Sequence, residues 1–494
     1  MDLSYKNLEE RSYSLISYHE LVNKIKRELI GKRTFFQKNH SVNDMIQSLI
    51  LYWREQNLSE FYPSLVFLSE ELLLVEQNEM DLCLLNEIIS IIFTILVAPF
   101  NEEATNQYHR YLIDACLATI INLLRFPEGY KVVSNDIYDL CCSVFSTYSN
   151  YNETEENSLA SIYIENSLRI IRNLTALPET YQIIADKIFL NCIGNFLVNP
   201  YIHDKYKKQS LVILYNIMKN SDILDSSFPI EQLLQLLRVL VGCTNSKNIY
   251  WLLHIILLLT LNDITAYKVM EIEEFQLFIN NCLSRENITS QKITNEEKIY
   301  KIQMLALNII SYILNVENYD FDVNVTLLVN LASNRSSSDL ILAALRTIQN
   351  YADCPEHVDT LIENHILFVI NEYLEFGNYK LKIPCLNIHS NLLVFAPVSK
   401  LNELFECKSI TIALEAINDS DDINLIKNYL HGLLNLVEHI ENHNLAFPHH
   451  HVFHVSNGIE ILESLKIKFD DNDERMTEYI NSLLSIYQMK EDIY

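Results

Sequence analysis

The chain of 494 residues carries only 7 glycines and 10 prolines but is 49% hydrophobic, which excludes a disordered chain and disfavours a sheet-rich fold built on tight turns. Its 64 acidic and 37 basic residues leave a net charge of −27, a field that repels nucleic acid and anionic membrane surfaces and attracts basic partners. No GxGxxG motif occurs, nor a GxxxxGK followed by Ser or Thr, so the common nucleotide-binding enzymes are excluded too.

The first distinctive stretch, HELVNKIKRELIGKRTFFQKN at residues 19–39, gathers Lys24, Lys26, Arg27, Lys32 and Arg33 in an otherwise acidic chain. A basic amphipathic arm can dock on an acidic carrier, fold back into an acidic groove and compete with its guest, or form the solvated face of a first helix. No signal-peptide core precedes it. The longest mainly apolar run, residues 88–100, falls short of the roughly 20 residues needed to cross a bilayer. The expectation is a soluble protein of cytoplasm and nucleus, with no membrane insertion.

Beyond the arm, one helical unit recurs. ACLATIINLLRFPEGYKVV (115–133) places Asn122 beside an apolar stripe, and LRIIRNLTALPETYQIIADK (168–187) places Asn173 at the same phase. Asn216 follows in QSLVILYNIMKNSD (209–222), Asn350 in LAALRTIQNYADCPEHVDTLI (342–362), Asn391 in CLNIHSNLLVFAP (385–397) and Asn435 in YLHGLLNLVEHIEN (429–442). Two further segments, 249–263 and 305–318, fit with Ile255 and Tyr312 in place of the Asn. The eight positions recur about every 45 residues, the range of armadillo and HEAT repeats, whose units cannot bury their apolar faces alone and therefore stack. The prediction is an all-α, right-handed armadillo-repeat superhelix. It spans residues 43–494 in about ten repeats, behind a basic segment at 1–42. A side-chain amide can pair with both backbone groups of an extended peptide, so six at one phase form a candidate binding ladder. The alternative is that each Asn bonds a carbonyl of the neighbouring repeat.

Other residues carry less. The ten cysteines include one adjacent pair, Cys141 and Cys142, no CxxC, and mostly apolar neighbours, the pattern of reduced core thiols. DKYKK (204–208) reads as a surface cluster in an inter-helix loop, with nothing aromatic phased to it for nucleic-acid stacking. His449, His450, His451 and His454 follow Pro448 and read as a linker between the last two repeats; no Cys or carboxylate stands at metal-ligand spacing beside them. No nucleophile motif is present. No enzymatic activity, metal or cofactor is expected.

The segment 210–263 resembles the fourth and fifth armadillo repeats of importin-alpha, the nuclear-import adaptor: an Asn near a helix end, a Pro-containing loop, a Glu-Gln-Leu-Leu helix start and a Tyr-Trp opening the next helix. Residues 449–487 resemble that family's last repeat, with its Gly-Ile-Glu opening and acidic loop, and the likeness of pattern runs from about residue 43 to 487. In the family the groove motif is Trp-x-x-x-Asn, where Asn side chains hold the backbone of a basic localisation signal and indoles flank its Lys and Arg stems. The resemblance carries the Asn half to Asn122, Asn173 and Asn216 at one site and to Asn350, Asn391 and Asn435 at another. The Trp half survives only at Trp251; its other places hold Ala118, Arg169, Val212, Arg346, Asn387 and His431. The family's acidic position beyond the third-repeat Asn is Leu177 here. Lys26-Arg27-Glu28 and Lys32-Arg33 are similar to an importin-beta-binding segment. The resemblance thus implies an import adaptor that takes extended, non-standard basic cargo segments and docks on an importin-beta-like carrier. The alternative function is a non-transport armadillo scaffold with a degenerate groove.

Overall fold

The computed structural model describes residues 41–74, 80–97, 107–126, 129, 132, 135–148, 159–176, 187–220, 229–242, 248–290, 293–316, 321–334, 337–406, 408–443, 445, 449–469 and 473–488. Among them every regular element is a helix. The basic segment with Lys24, Lys26, Arg27, Lys32 and Arg33 lies outside the described residues, as does Leu177. The described residues fall into two compact units, one ending at Leu240 and one starting at Val241.

Unit 1 contains α1 (Val42–Arg54), α2 (Leu58–Leu74), α3 (Leu82–Val97), α4 (Gln107–Leu123), α5 (Asn135–Tyr148), α6 (Leu159–Thr175), α7 (Lys187–Val198), α8 (Asp204–Asn220) and most of α9 (Ile230–Gly242). The even-numbered helices stack in chain order, α2 on α4, α4 on α6 and α6 on α8, with α1, α3, α5 and α7 packed against them as a second layer. The apolar spacing explains the stack. On α6, Ile164, Leu168, Ile171 and Leu174 recur at three- and four-residue steps and are nearly or fully buried. Each such side chain contributes about 1.5–3 kcal/mol on burial. The unit opens with a capping box, in which the Asp44 amide donates to Ser41 Oγ at 3.2 Å and Ser41 N donates to Asp44 Oδ2 at 2.9 Å.

Unit 2 contains α10 (Ile249–Thr260), α11 (Asp263–Met270), α12 (Glu273–Asn281), α13 (Arg285–Ser290), α14 (Glu296–Ile313), α15 (Val325–Ser333) and α16 (Ser338–Ala352). It continues with α17 (Val358–Glu363), α18 (Ile366–Phe376), α19 (Tyr379–Phe395), α20 (Leu401–Glu406), α21 (Ser409–Asn418), α22 (Ile423–Asn442), α23 (His449–Val455), α24 (Gly458–Phe469) and α25 (Glu474–Gln488). The last nine form three units of a short, a middle and a long helix. The long helices stack serially from α14 through α16, α19 and α22 to α25, and the middle ones from α15 through α18 and α21 to α24. Asparagine starts many of these helices: Asn262, Asn295, Asn324 and Asn378 each accept a first-turn amide on the side chain. His365, Lys408 and Asn457, each the residue before a middle helix, adopt left-handed φ angles of 62°, 56° and 53°. The same backbone turn therefore recurs in three consecutive repeats, without glycine.

Two local expectations are corrected. DKYKK is not loop but the first turns of α8, because Tyr206 is buried and begins the stripe continued by Ser210, Ile213, Leu214 and Ile217. The histidine cluster is not a linker but helical, in α23. Phe453 stacks on Tyr487 with ring centroids 3.8 Å apart, anchoring that helix to α25.

At the α19–α22 seam two stacked helices approach closely at a glycine: a Cβ added at Gly432 would lie 2.6 Å from Ser390 Oγ and 2.9 Å from its carbonyl oxygen. Beside it, His389 and Tyr429 are both fully buried and stacked at 5.7 Å. Neither imidazole nitrogen nor the phenol hydroxyl has a partner among the described residues. Burial pushes the His389 pKa down to about 3, so the unfolded chain, near 6.5, binds the proton first as pH falls. The stability that the neutral ring confers is complete above that value and lost below it. Unfolding free energy should drop on the order of 2 kcal/mol between pH 6.5 and 5 from this group. In urea titrations at the two pH values, His389→Leu should flatten the drop; an unchanged slope would refute the assignment.

Candidate functional site

The helices that stack serially carry the sequence-predicted residues, so both units present a layer of ladder helices: α2, α4, α6 and α8 in one, α10, α14, α16, α19, α22 and α25 in the other. Asn122 lies on α4, Asn173 on α6, Asn216 on α8, Asn350 on α16, Asn391 on α19 and Asn435 on α22. Each sits near the edge of its helix's buried stripe.

What the amides bond is specific. Asn122, 7% exposed, donates from Nδ2 to the Ser69 carbonyl of α2 at 2.8 Å. Asn350 donates to Ser311 on α14, to Oγ at 2.9 Å and to the carbonyl at 3.2 Å. Asn391 donates to Asp353 Oδ1 at 2.6 Å, just past the end of α16. Burial pushes the Asp353 carboxyl up, and the Asn391 bond opposes that shift. Asn216 reaches α6 by two long contacts, 3.5 Å to the Arg172 carbonyl and 3.4 Å to Thr175 Oγ1. Asn435 turns to the His431 ring of its own helix at 3.2 Å. Asn173 is half-buried, and its side chain makes no hydrogen bond among the described residues. In four of the six, an amide proton links one repeat to the one before it. The Oδ1 atoms of all six accept no hydrogen bond among the described residues.

The sequence missed further links at one-repeat separation. Asn220 donates to the Thr175 carbonyl at 2.7 Å, Ser390 to the Asn428 carbonyl at 2.8 Å, and Tyr373 to the Ala332 carbonyl at 2.7 Å. Their common signal is a polar residue on a buried stripe whose partner lies 38–45 residues away. That separation matches the sequence period.

The indole positions differ from one another. Trp251, half-buried, packs edge-on to Tyr250 at 5.5 Å and tilted to His254 at 5.8 Å, both on α10. Burial lowers the His254 pKa to about 4, leaving a neutral aromatic cluster. Arg169 is clamped to Glu165 one turn away at 2.5 Å, and Lys205 of α8 approaches the same carboxylate at 3.7 Å. Arg346 is exposed, Asn387 meets Gln349 at 3.5 Å, and the exposed His431 lies 5.4 Å from Tyr479. Ile255 is fully buried and offers nothing to a guest, whereas Tyr312 is 46% exposed. Among the described residues, no group of three or more His, Cys, Asp or Glu is placed to hold a metal, and no helix is long and apolar enough to cross a membrane.

No family model matches the chain, and no curated protein matches it. Solved structures do. An engineered protein is 13% identical with a TM-score of 0.58, covering 90% of this chain and 99% of its own. SYS-1, a beta-catenin-like armadillo protein, is 11% identical with a TM-score of 0.50, at the same coverage of 90% and 99%. At these identities the likeness is one of fold. The chain is an all-α, armadillo-like helical-repeat protein.

The inter-repeat bonds predict unequal costs for single substitutions. Asn122→Ala removes a buried inter-repeat hydrogen bond to the Ser69 carbonyl and should cost about 1–1.5 kcal/mol in urea unfolding, whereas Asn173→Ala should lie within about 0.5 kcal/mol of the parent. Equal costs would show that the two amides do the same structural work.

Proposed function

We propose that the chain is an armadillo-type adaptor of the importin-alpha kind, holding an extended segment of a cargo protein along its ladder helices. The observation that supports this is the repetition itself. Six Asn stand at one phase, each with an Oδ1 that no described residue uses, and the Asn173 carboxamide makes no hydrogen bond among the described residues. Amides one repeat apart match the donor–acceptor alternation of an extended backbone and do so without reading side chains. The carrier is an importin-beta-like protein docked on the basic segment around Lys24, Lys26, Arg27, Lys32 and Arg33. The adaptor would then move between cytoplasm and nucleus. A second reading, a non-transport scaffold, is supported by the loss of the indole slots, with Arg169 tied to Glu165 where a Trp would receive a Lys stem.

Replacing Asn173 and Asn216 together with Ala should weaken binding of an extended peptide about tenfold, roughly 1.4 kcal/mol, in fluorescence anisotropy. A loss below about twofold would remove the ladder from the binding account. Deleting residues 1–42 should abolish capture of an importin-beta-like carrier in a pull-down. Undiminished capture would reject the docking segment, and no capture by the full chain would favour the scaffold.

A further inference from the structure

The last turns of α22 bring two imidazoles together. His439 and His443 stand four residues apart, about one turn of helix, so their side chains rise on the same face. Both are exposed, and their ring centroids lie 4.5 Å apart with the planes tilted by 40°. His443 Nδ1 lies 3.0 Å from the His439 carbonyl oxygen. A carbonyl only accepts, so Nδ1 carries the proton and the neutral ring keeps its lone pair on Nε2. Metal-ligating imidazoles are held in this way, one nitrogen donating to a carbonyl or carboxylate while the other ligates. The His439 ring makes no hydrogen bond among the described residues. The residues between α22 and α23 that lie outside the described ones, Asn444, Ala446, Phe447 and Pro448, add no imidazole, thiol or carboxylate. On α23, by contrast, His450 is committed elsewhere: its Nε2 lies 3.4 Å from Glu441 Oε1 and its ring meets Tyr487 edge-on at 5.2 Å.

We propose that His439 and His443 form a two-imidazole clip for a divalent transition-metal ion at the C-terminal end of α22. A metal about 2.1 Å from each ligating nitrogen lies about 3.2 Å from each ring centre. Two rings at a right angle around it then stand about 4.5 Å apart, and two at the tetrahedral angle about 5.2 Å. The spacing on α22 matches the right-angle chelate, the arrangement that nickel and copper ions take with nitrogen ligands. Charge favours the same position. The last carbonyls of a 20-residue helix give its C-terminus partial negative charge, and the chain's net −27 is a field of the same sign. No third His, Cys, Asp or Glu among the described residues is placed to share the ion, so water completes its coordination. The clip does not rest on the ladder reading, although Asn435 precedes His439 by four residues on the same helix and a bound ion would stand beside that rung.

The test is isothermal titration calorimetry of the full chain with Ni2+, under reducing conditions. One equivalent should bind ahead of any weaker class. His439→Ala and His443→Ala should each weaken that equivalent at least tenfold, about 1.4 kcal/mol, with metal-free circular-dichroism melts matching the parent. His443→Ala also removes a bond at the helix end; if its melt shifts, His439→Ala decides, because it keeps the carbonyl that the bond uses. His454→Ala, at an exposed position on α23, should leave the first equivalent intact. Loss of that equivalent in His454→Ala, with His439→Ala unaffected, would move the site to α23 and overturn the assignment. Full affinity in His439→Ala, or no saturable binding of Ni2+ by the parent chain, would overturn it as well.

Discussion

Each repeat depends on its neighbour, because no helix here can bury its apolar stripe within its own hairpin. Leu168 and Ile171 on α6 reach full burial in a stack where α4 and α8 flank them. A helical stack held by burial alone could slip by a turn. The side-chain amides and hydroxyls that cross each seam oppose that, since a carbonyl such as that of Ser69 or Ser311 accepts only when the register is right. Apolar area thus supplies the attraction between repeats and directional bonds set their offset.

That division of labour changes what the ladder asparagines mean. A carboxamide has two donor protons and an acceptor, and a seam uses one of the three. Asn122 has little left to offer, being nearly buried, whereas the half-buried Asn173 carboxamide is not engaged by any described residue. The ladder is therefore graded, and its least engaged rungs among the described residues of unit 1 are Asn173 and Asn216.

The fold was legible because its period is long, repeated and written in large apolar residues. Eight aligned positions all fall on serially stacked helices. The destination of each amide was not legible. Whether Asn391 meets Asp353 or Asn435 meets His431 depends on the offset between helices, which no one-dimensional pattern contains. The lysine row on α8 was hidden for a different reason. While DKYKK is read as loop, Lys205 and Lys208 point nowhere in particular; once α8 begins at Asp204, they fall into one row with Lys219. A helix start misplaced by five residues was enough to conceal that row.

Gly432 has a consequence for how such a chain can change. The repeats of unit 2 form a serial column, with α25 resting on α22 and α22 on α19. A displacement at one seam is inherited by every later member. One added carbon at 432 would meet the main chain of Ser390, which cannot rotate aside as a side chain tip could. The smallest possible mutation there would act as a lever, re-aiming the C-terminal repeats without altering a single residue in them.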